Sequence, residues 1–141
     1  MTDREFEAQR KRVRREMNKW RNLMGLGSWA FSYVYCREGL DVPDGYAAEG
    51  RTCLMRVNSA WEYCEAEIAI SMPMMLETPD EELSRICIHE MMHVLVAELR
   101  EGADDIRHEE RVVTMLTKAA MWMMEGAALG ERKKLKGKAV A

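Results

Sequence analysis

The segment from Thr78 to Gly102 constrains the fold more than any other. Leu83, Ile86, Ile88, Met91, Met92, Val94, Leu95, Val96 and Leu99 fall on most sides of one helix. A helix that is apolar on most sides belongs in the middle of its domain. Thr78 is placed to cap it, Pro79 suits its first turn, and Glu81 stands three residues past the cap, as in a capping box. Gly102 closes it. A chain of 141 residues favours one domain. It is long enough to bury a core without disulfide staples.

The remaining elements read more conventionally. Residues 3–24 form an amphipathic helix, with Phe6, Val13, Met17, Trp20 and Met24 on its apolar face and Gly25 and Gly27 at its end. Three strand-like segments follow. Trp29, Phe31, Tyr33 and Tyr35 alternate with small residues across 28–37, and Cys53, Met55 and Val57 alternate across 51–57. Cys64, Ala66, Ile68 and Ile70 alternate with Tyr63, Glu65, Glu67 and Ala69, as in a strand with one wet face. Residues 38–50 are rich in Gly, Asp and Pro, as a connection should be. A last helix runs from about Asp104 to Gly126, with Val112, Val113, Leu116, Ala120 and Met123 expected inside. The expected class is α+β: an N-terminal helix, a short three-stranded sheet, a buried helix and a C-terminal helix. One domain would span residues 1–130, followed by a basic flexible tail at 131–141.

With 48% hydrophobic and 32% charged residues, the chain is neither disordered nor membrane-spanning, because charges interrupt every apolar stretch. The N-terminus is charged throughout and lacks an apolar signal core, which points to the cytoplasm. Cys36, Cys53, Cys64 and Cys87 form no C-x-x-C pair and read as buried thiols in a reducing compartment, not as a structural zinc site. Net charge is −3, yet residues 1–21 and 131–141 each carry +4, leaving −11 between them. Basic ends could contact nucleic acid, but no aromatic residues interleave with the tail charges, so solvated faces are preferred.

Within the central helix the sequence reads ICIHEMMHVLVAEL. His89 and His93 are four apart, so both imidazoles project from one face and can reach one zinc ion. Glu90, next to the first histidine, can take a proton from a water attacking a carbonyl. Two of the three histidines are spent here, beside a carboxylate that would be costly to bury without a role. The bland alternative is a pair of hydrogen-bonded helix histidines, but the mid-helix, apolar setting favours metal.

A catalytic zinc usually takes three protein ligands and keeps one position open. The third is sought in HEERVVTML, residues 108–116. Glu109 is three and four residues before Val112 and Val113 and seven before Leu116, which puts it on the expected inner face and makes it the favoured ligand. His108, at the helix entrance, and Glu110, about 100° further round, are the alternatives. Most of the thirteen methionines read as core. Met72, Met74 and Met75, around Pro73, could instead line a substrate groove.

The chain resembles small phage- and prophage-encoded zinc metallopeptidases of a minimal gluzincin type, which are named mostly by motif. The matching residues are Trp29-Ala30-Phe31, Ala66-Glu67-Ile68, His89-Glu90-Met91-Met92-His93 and Glu109 to Leu116, together spanning about residues 28 to 120. The resemblance implies a zincin-like fold, a host-cell cytoplasmic setting and hydrolysis of a peptide or protein substrate. A more distant resemblance is to SprT-like proteases that act on DNA-bound proteins, with a histidine ligand where His108 stands. Here Glu109 replaces their glycine after that histidine, and a Cys-rich zinc ribbon is lacking. A third possibility is a zincin-fold structural or regulatory phage protein that binds zinc without proteolysis.

Overall fold

The computed structural model describes residues 1–41, 53–97 and 106–139. Helix α1 spans Asp3–Leu23 and opens on a complete capping box: the Thr2 hydroxyl accepts from Glu5 N, and the Glu5 carboxylate accepts from Thr2 N. Val13, Met17 and Trp20 form its buried stripe, and Phe6 and Met24 pack at the margin. Strand β1 (Ala30–Cys36), strand β2 (Met55–Ala60), a 3-10 turn at Trp61–Tyr63 and strand β3 (Glu65–Ser71) follow. Helices α2 (Met72–Glu77), α3 (Asp80–Val96) and α4 (Ile106–Ala139) complete an α+β arrangement.

The sheet order is β1-β3-β2, with β3 parallel to β1 and antiparallel to β2. β3, the strand with the cleanest alternation in the sequence, is therefore the central one. Phe31, Tyr33 and Tyr35 stand opposite Ala66, Ile68 and Ile70, which in turn oppose Ser59, Val57 and Met55. This is the face that joins the core, and Ile68 and Ile70 are fully buried on it. Glu65 and Glu67 take the wet face, as their alternation requires. Cys64 does not continue the inward set. It sits in the left-handed conformation (φ 51°) at the end of the 3-10 turn and is exposed. Of the other cysteines only Cys87 is fully buried; Cys36 and Cys53 are half-buried, and all four are free thiols.

Helix α3 is as central as its composition demands. Leu83, Ile86, Cys87, Ile88, Met91 and Val94 are buried, and the helix packs against α1, β2 and α4. Its start differs from the expectation. Pro79 is the N-cap and no side chain caps the helix. The Thr78 hydroxyl instead donates to Met74 O at 2.7 Å, closing α2. Asp80, Glu81 and Glu82 in the first turn compensate by meeting the positive end of the helix dipole. Met72 and Met75 of α2 are fully buried core, not the wall of a groove.

Helix α4 differs in phase and in length. Its buried face is Val113, Thr117 and Ala120, whereas Leu116 and Met123 are exposed. Thr117 succeeds as a core residue because its hydroxyl donates to Val113 O one turn back, at 2.8 Å, leaving a methyl group for packing. The helix also runs on to Ala139, through residues that composition assigned to a flexible tail. Among the described residues no helix is long and apolar enough to cross a membrane.

One cation ties α1 to the turn that launches α3. Arg12 donates to Met75 O at 3.0 Å, Thr78 O at 2.6 Å and the Asp80 carboxylate at 2.8 Å. The two carbonyls accept charge-assisted bonds in a half-buried setting, whereas Asp80 is 87% exposed. Arg12→Ala should therefore cost on the order of 2 kcal/mol, measured by urea unfolding. Asp80→Asn should cost well under about 1 kcal/mol.

Candidate metal centre

His89 and His93 lie one turn apart on α3, and α4 crosses them at Glu109 and Glu110. The two imidazoles approach edge-on, with ring centroids 4.9 Å apart and planes at 74°, so that their Nε2 atoms face each other at 3.2 Å. The Glu110 carboxylate closes the triangle. Its Oε1 is 2.8 Å from His93 Nε2 and its Oε2 is 3.3 Å from His89 Nε2. These three side chains form a group whose donor atoms all lie within 4.8 Å of one another, a grouping that could hold a metal ion.

The carboxylate that faces both Nε2 atoms is thus that of Glu110, not Glu109. Glu109 lies against the other nitrogen of the second histidine, accepting from His93 Nδ1 at 2.8 Å. Helix-face reasoning holds for burial: the Glu109 side chain is 12% exposed and that of Glu110 is 32% exposed. It does not distinguish which carboxylate meets the Nε2 atoms, because both face α3. His108 belongs to the first turn of α4, but its side chain lies outside the described residues.

Glu90 is 7% exposed and lies close enough to His93, His89 and Glu110 to feel their charges. Its carboxylate accepts a hydrogen bond from the Val57 backbone N–H of β2. The ladder phase explains why that N–H is available. Ser71 N donates to Leu54 O at 2.9 Å, so Leu54, Arg56, Asn58 and Ala60 are the residues bonded to β3. Met55, Val57 and Ser59 turn their backbone groups to the outer edge, toward α3. A sequence motif carries no signal for such a backbone donor, and this contact was not foreseen.

Comparison with protein-family models, curated proteins and solved structures finds no match. The reading of the site therefore rests on its own chemistry.

Burial raises the pKa of Glu90, an effect the nearby histidines only partly offset. For His93, burial alone would favour the neutral ring. Hydrogen bonds to Glu110 and Glu109 outweigh it and raise the pKa to about 9. Hydrogen bonding to the two histidines holds Glu110 far below the usual carboxylate range. In the metal-free protein the site is therefore an imidazolium clamped by carboxylates.

This predicts a pH profile for the metal-free chain. The His93 contribution to stability is complete below its ordinary value of 6.5 and is lost as pH rises through about 9. The Glu110 contribution is present above its ordinary 4.5 and is lost on acidification. Glu90, raised by burial, contributes stability that is complete below its ordinary 4.5 and is lost as pH rises above it. Thermal unfolding with a chelator present should show the melting temperature falling between about pH 6 and about pH 10. A flat profile over that range would contradict the clamp. Because metal must displace the imidazolium proton, metal affinity should rise over the same range.

Proposed function

We propose that the chain is a metal-dependent hydrolase of peptide bonds, with zinc as its ion. The supporting observation is the spacing of the three donors. Ligands at about 2.0–2.1 Å around a tetrahedral zinc stand roughly 3.3 Å from one another. The separations between His89 Nε2, His93 Nε2 and the Glu110 carboxylate oxygens are 3.2, 3.3 and 2.8 Å. Two imidazoles and one carboxylate are a donor set suited to zinc, and three ligands leave a position open for reaction. In this reading His89, His93 and Glu110 hold the ion. When bound, zinc supplies a Lewis acid that polarises a carbonyl and acidifies water.

The rest of the chemistry belongs to the chain. Glu90 follows the first ligand in the chain and has a proton affinity raised by burial. A carboxylate tuned upward in this way accepts a proton from water more readily and returns it to a leaving amine. β3 is paired on both sides, so it offers no edge for an added substrate strand.

A nucleic-acid-tethered protease is less well supported. The basic N-terminal helix spends Arg10 on Glu7, Arg12 on the α2–α3 turn, Arg14 on the Tyr33 ring and Arg21 on backbone carbonyls and Phe31. Cations occupied in this way release few counterions on binding phosphate.

Two substitutions test the proposal. Glu110→Ala should abolish tight zinc binding in metal analysis of the purified protein. Glu90→Gln should retain zinc while peptide hydrolysis falls by roughly 10²–10⁴-fold. A Glu90→Gln protein that holds zinc and keeps every biological effect of the parent would favour a structural or regulatory zinc protein instead.

A further inference from the structure

Adjacent carboxylates on α4 meet opposite sides of one imidazole, and this arrangement has a chemical meaning beyond metal capture. Glu110 addresses His93 Nε2, and Glu109 accepts from His93 Nδ1, both at 2.8 Å. The contact with Glu109 is well shielded: the His93 side chain is 11% exposed and that of Glu109 is 12% exposed. An imidazole can offer a lone pair to a metal from Nε2 only if its remaining proton sits on Nδ1. A shielded carboxylate at Nδ1 fixes that tautomer and holds the ring plane. It also makes the opposite nitrogen a stronger donor.

We infer that Glu109 is a positioning residue for the metal centre: it fixes the Nδ1–H tautomer and the orientation of His93, so that Nε2 is presented together with Glu110 and His89. The inference rests on the metal-centre reading above and divides the Glu109–Glu110 pair into one ligand and one orienting group. The division follows from helix geometry. Successive residues are rotated by about 100°, so two neighbouring carboxylates facing α3 cannot occupy the same side of one ring. Glu110 reaches the space between the histidines, and its more buried predecessor lies against the other nitrogen of His93. Glu109 would touch neither ion nor substrate, and its influence would travel through His93.

The test compares Glu109→Gln, Glu109→Ala and Glu110→Gln by zinc titration and by nitrogen-15 NMR of the histidine rings. The parent should show a downfield, slowly exchanging Nδ1–H resonance for His93. Glu109→Ala should lose that resonance and bind zinc 10- to 100-fold more weakly. Glu109→Gln keeps an oxygen acceptor of the same shape. It should retain a weakened resonance and recover part of the affinity, and it also serves if the alanine variant fails to fold. Glu110→Gln should lose more affinity than either variant while leaving the His93 Nδ1–H signal in place. Two outcomes would overturn the inference. One is a Glu109→Ala or Glu109→Gln protein with parental affinity and an unchanged His93 signal. The other is a Glu109→Gln protein whose zinc loss equals that of Glu110→Gln, which would make Glu109 a ligand. A parent protein that binds no zinc would defeat the metal-centre reading, whereas the His93 signal, recorded without metal above about pH 9 where the ring is neutral, would still decide the tautomer.

Discussion

Charge placed on a buried helix is the constraint from which the rest of the structure follows. α3 supplies much of the core, through Leu83, Ile86, Ile88, Met91 and Val94, yet it carries His89, Glu90 and His93 in its second half. An ionisable group left unpaired in such a setting costs several kcal/mol. Each of the three must therefore meet a partner brought by another element. β2 meets Glu90 with a backbone N–H, and α4 meets the histidines with Glu109 and Glu110. The positions of β2 and α4 against α3 are set by these polar needs as much as by apolar contact.

The opposite side of α3 shows how the cost is carried. Val13, Met17 and Trp20 of α1, with Met72 and Met75 of α2, pack around α3 as buried residues of one core. Two polar side chains make the main cross-links on that side. Glu16 reaches across from α1 to accept from Ser84 on α3 at 2.5 Å and from Trp20 Nε1 at 2.8 Å. Arg12 holds the carbonyls at the end of α2. A well-packed half of this kind lets the other half of α3 keep carboxylates and imidazoles crowded together in mutual hydrogen bonds. Such crowding is what a cation resolves, because it replaces repelling or protonated groups with shared coordination.

Much of this was legible in the residues. The periods of α1 and β3 gave those elements with boundaries close to the observed ones, and the apolar girth of α3 gave its central place; the expected end of α3 at Gly102 lies outside the described residues. The spacing of His89 and His93 placed both rings on one face. Thr78 shows a limit of local reading, since the same hydroxyl can cap the helix that follows or close the one that precedes, and here it closes α2. Cys64 shows another. Its place in an alternating row suggested an inward side chain, but the chain needs a left-handed residue there to turn from β2 into β3.

What the sequence determined by itself are relations within one element: which residues share a helix face, which alternate on a strand, and that a nucleating pair of histidines flanks a carboxylate. Those relations follow from the fixed 3.6- and two-residue periods of the backbone. Relations between elements were decided only by tertiary packing. The rotation of α4 about its own axis set Glu110 between the histidines and Glu109 against His93 Nδ1. The sheet order put β3 in the centre and left the edge of β2, with its Val57 N–H, facing Glu90. Neither choice is written in a local period, since each depends on which of several nearly equivalent faces finds complementary shape and charge across the gap.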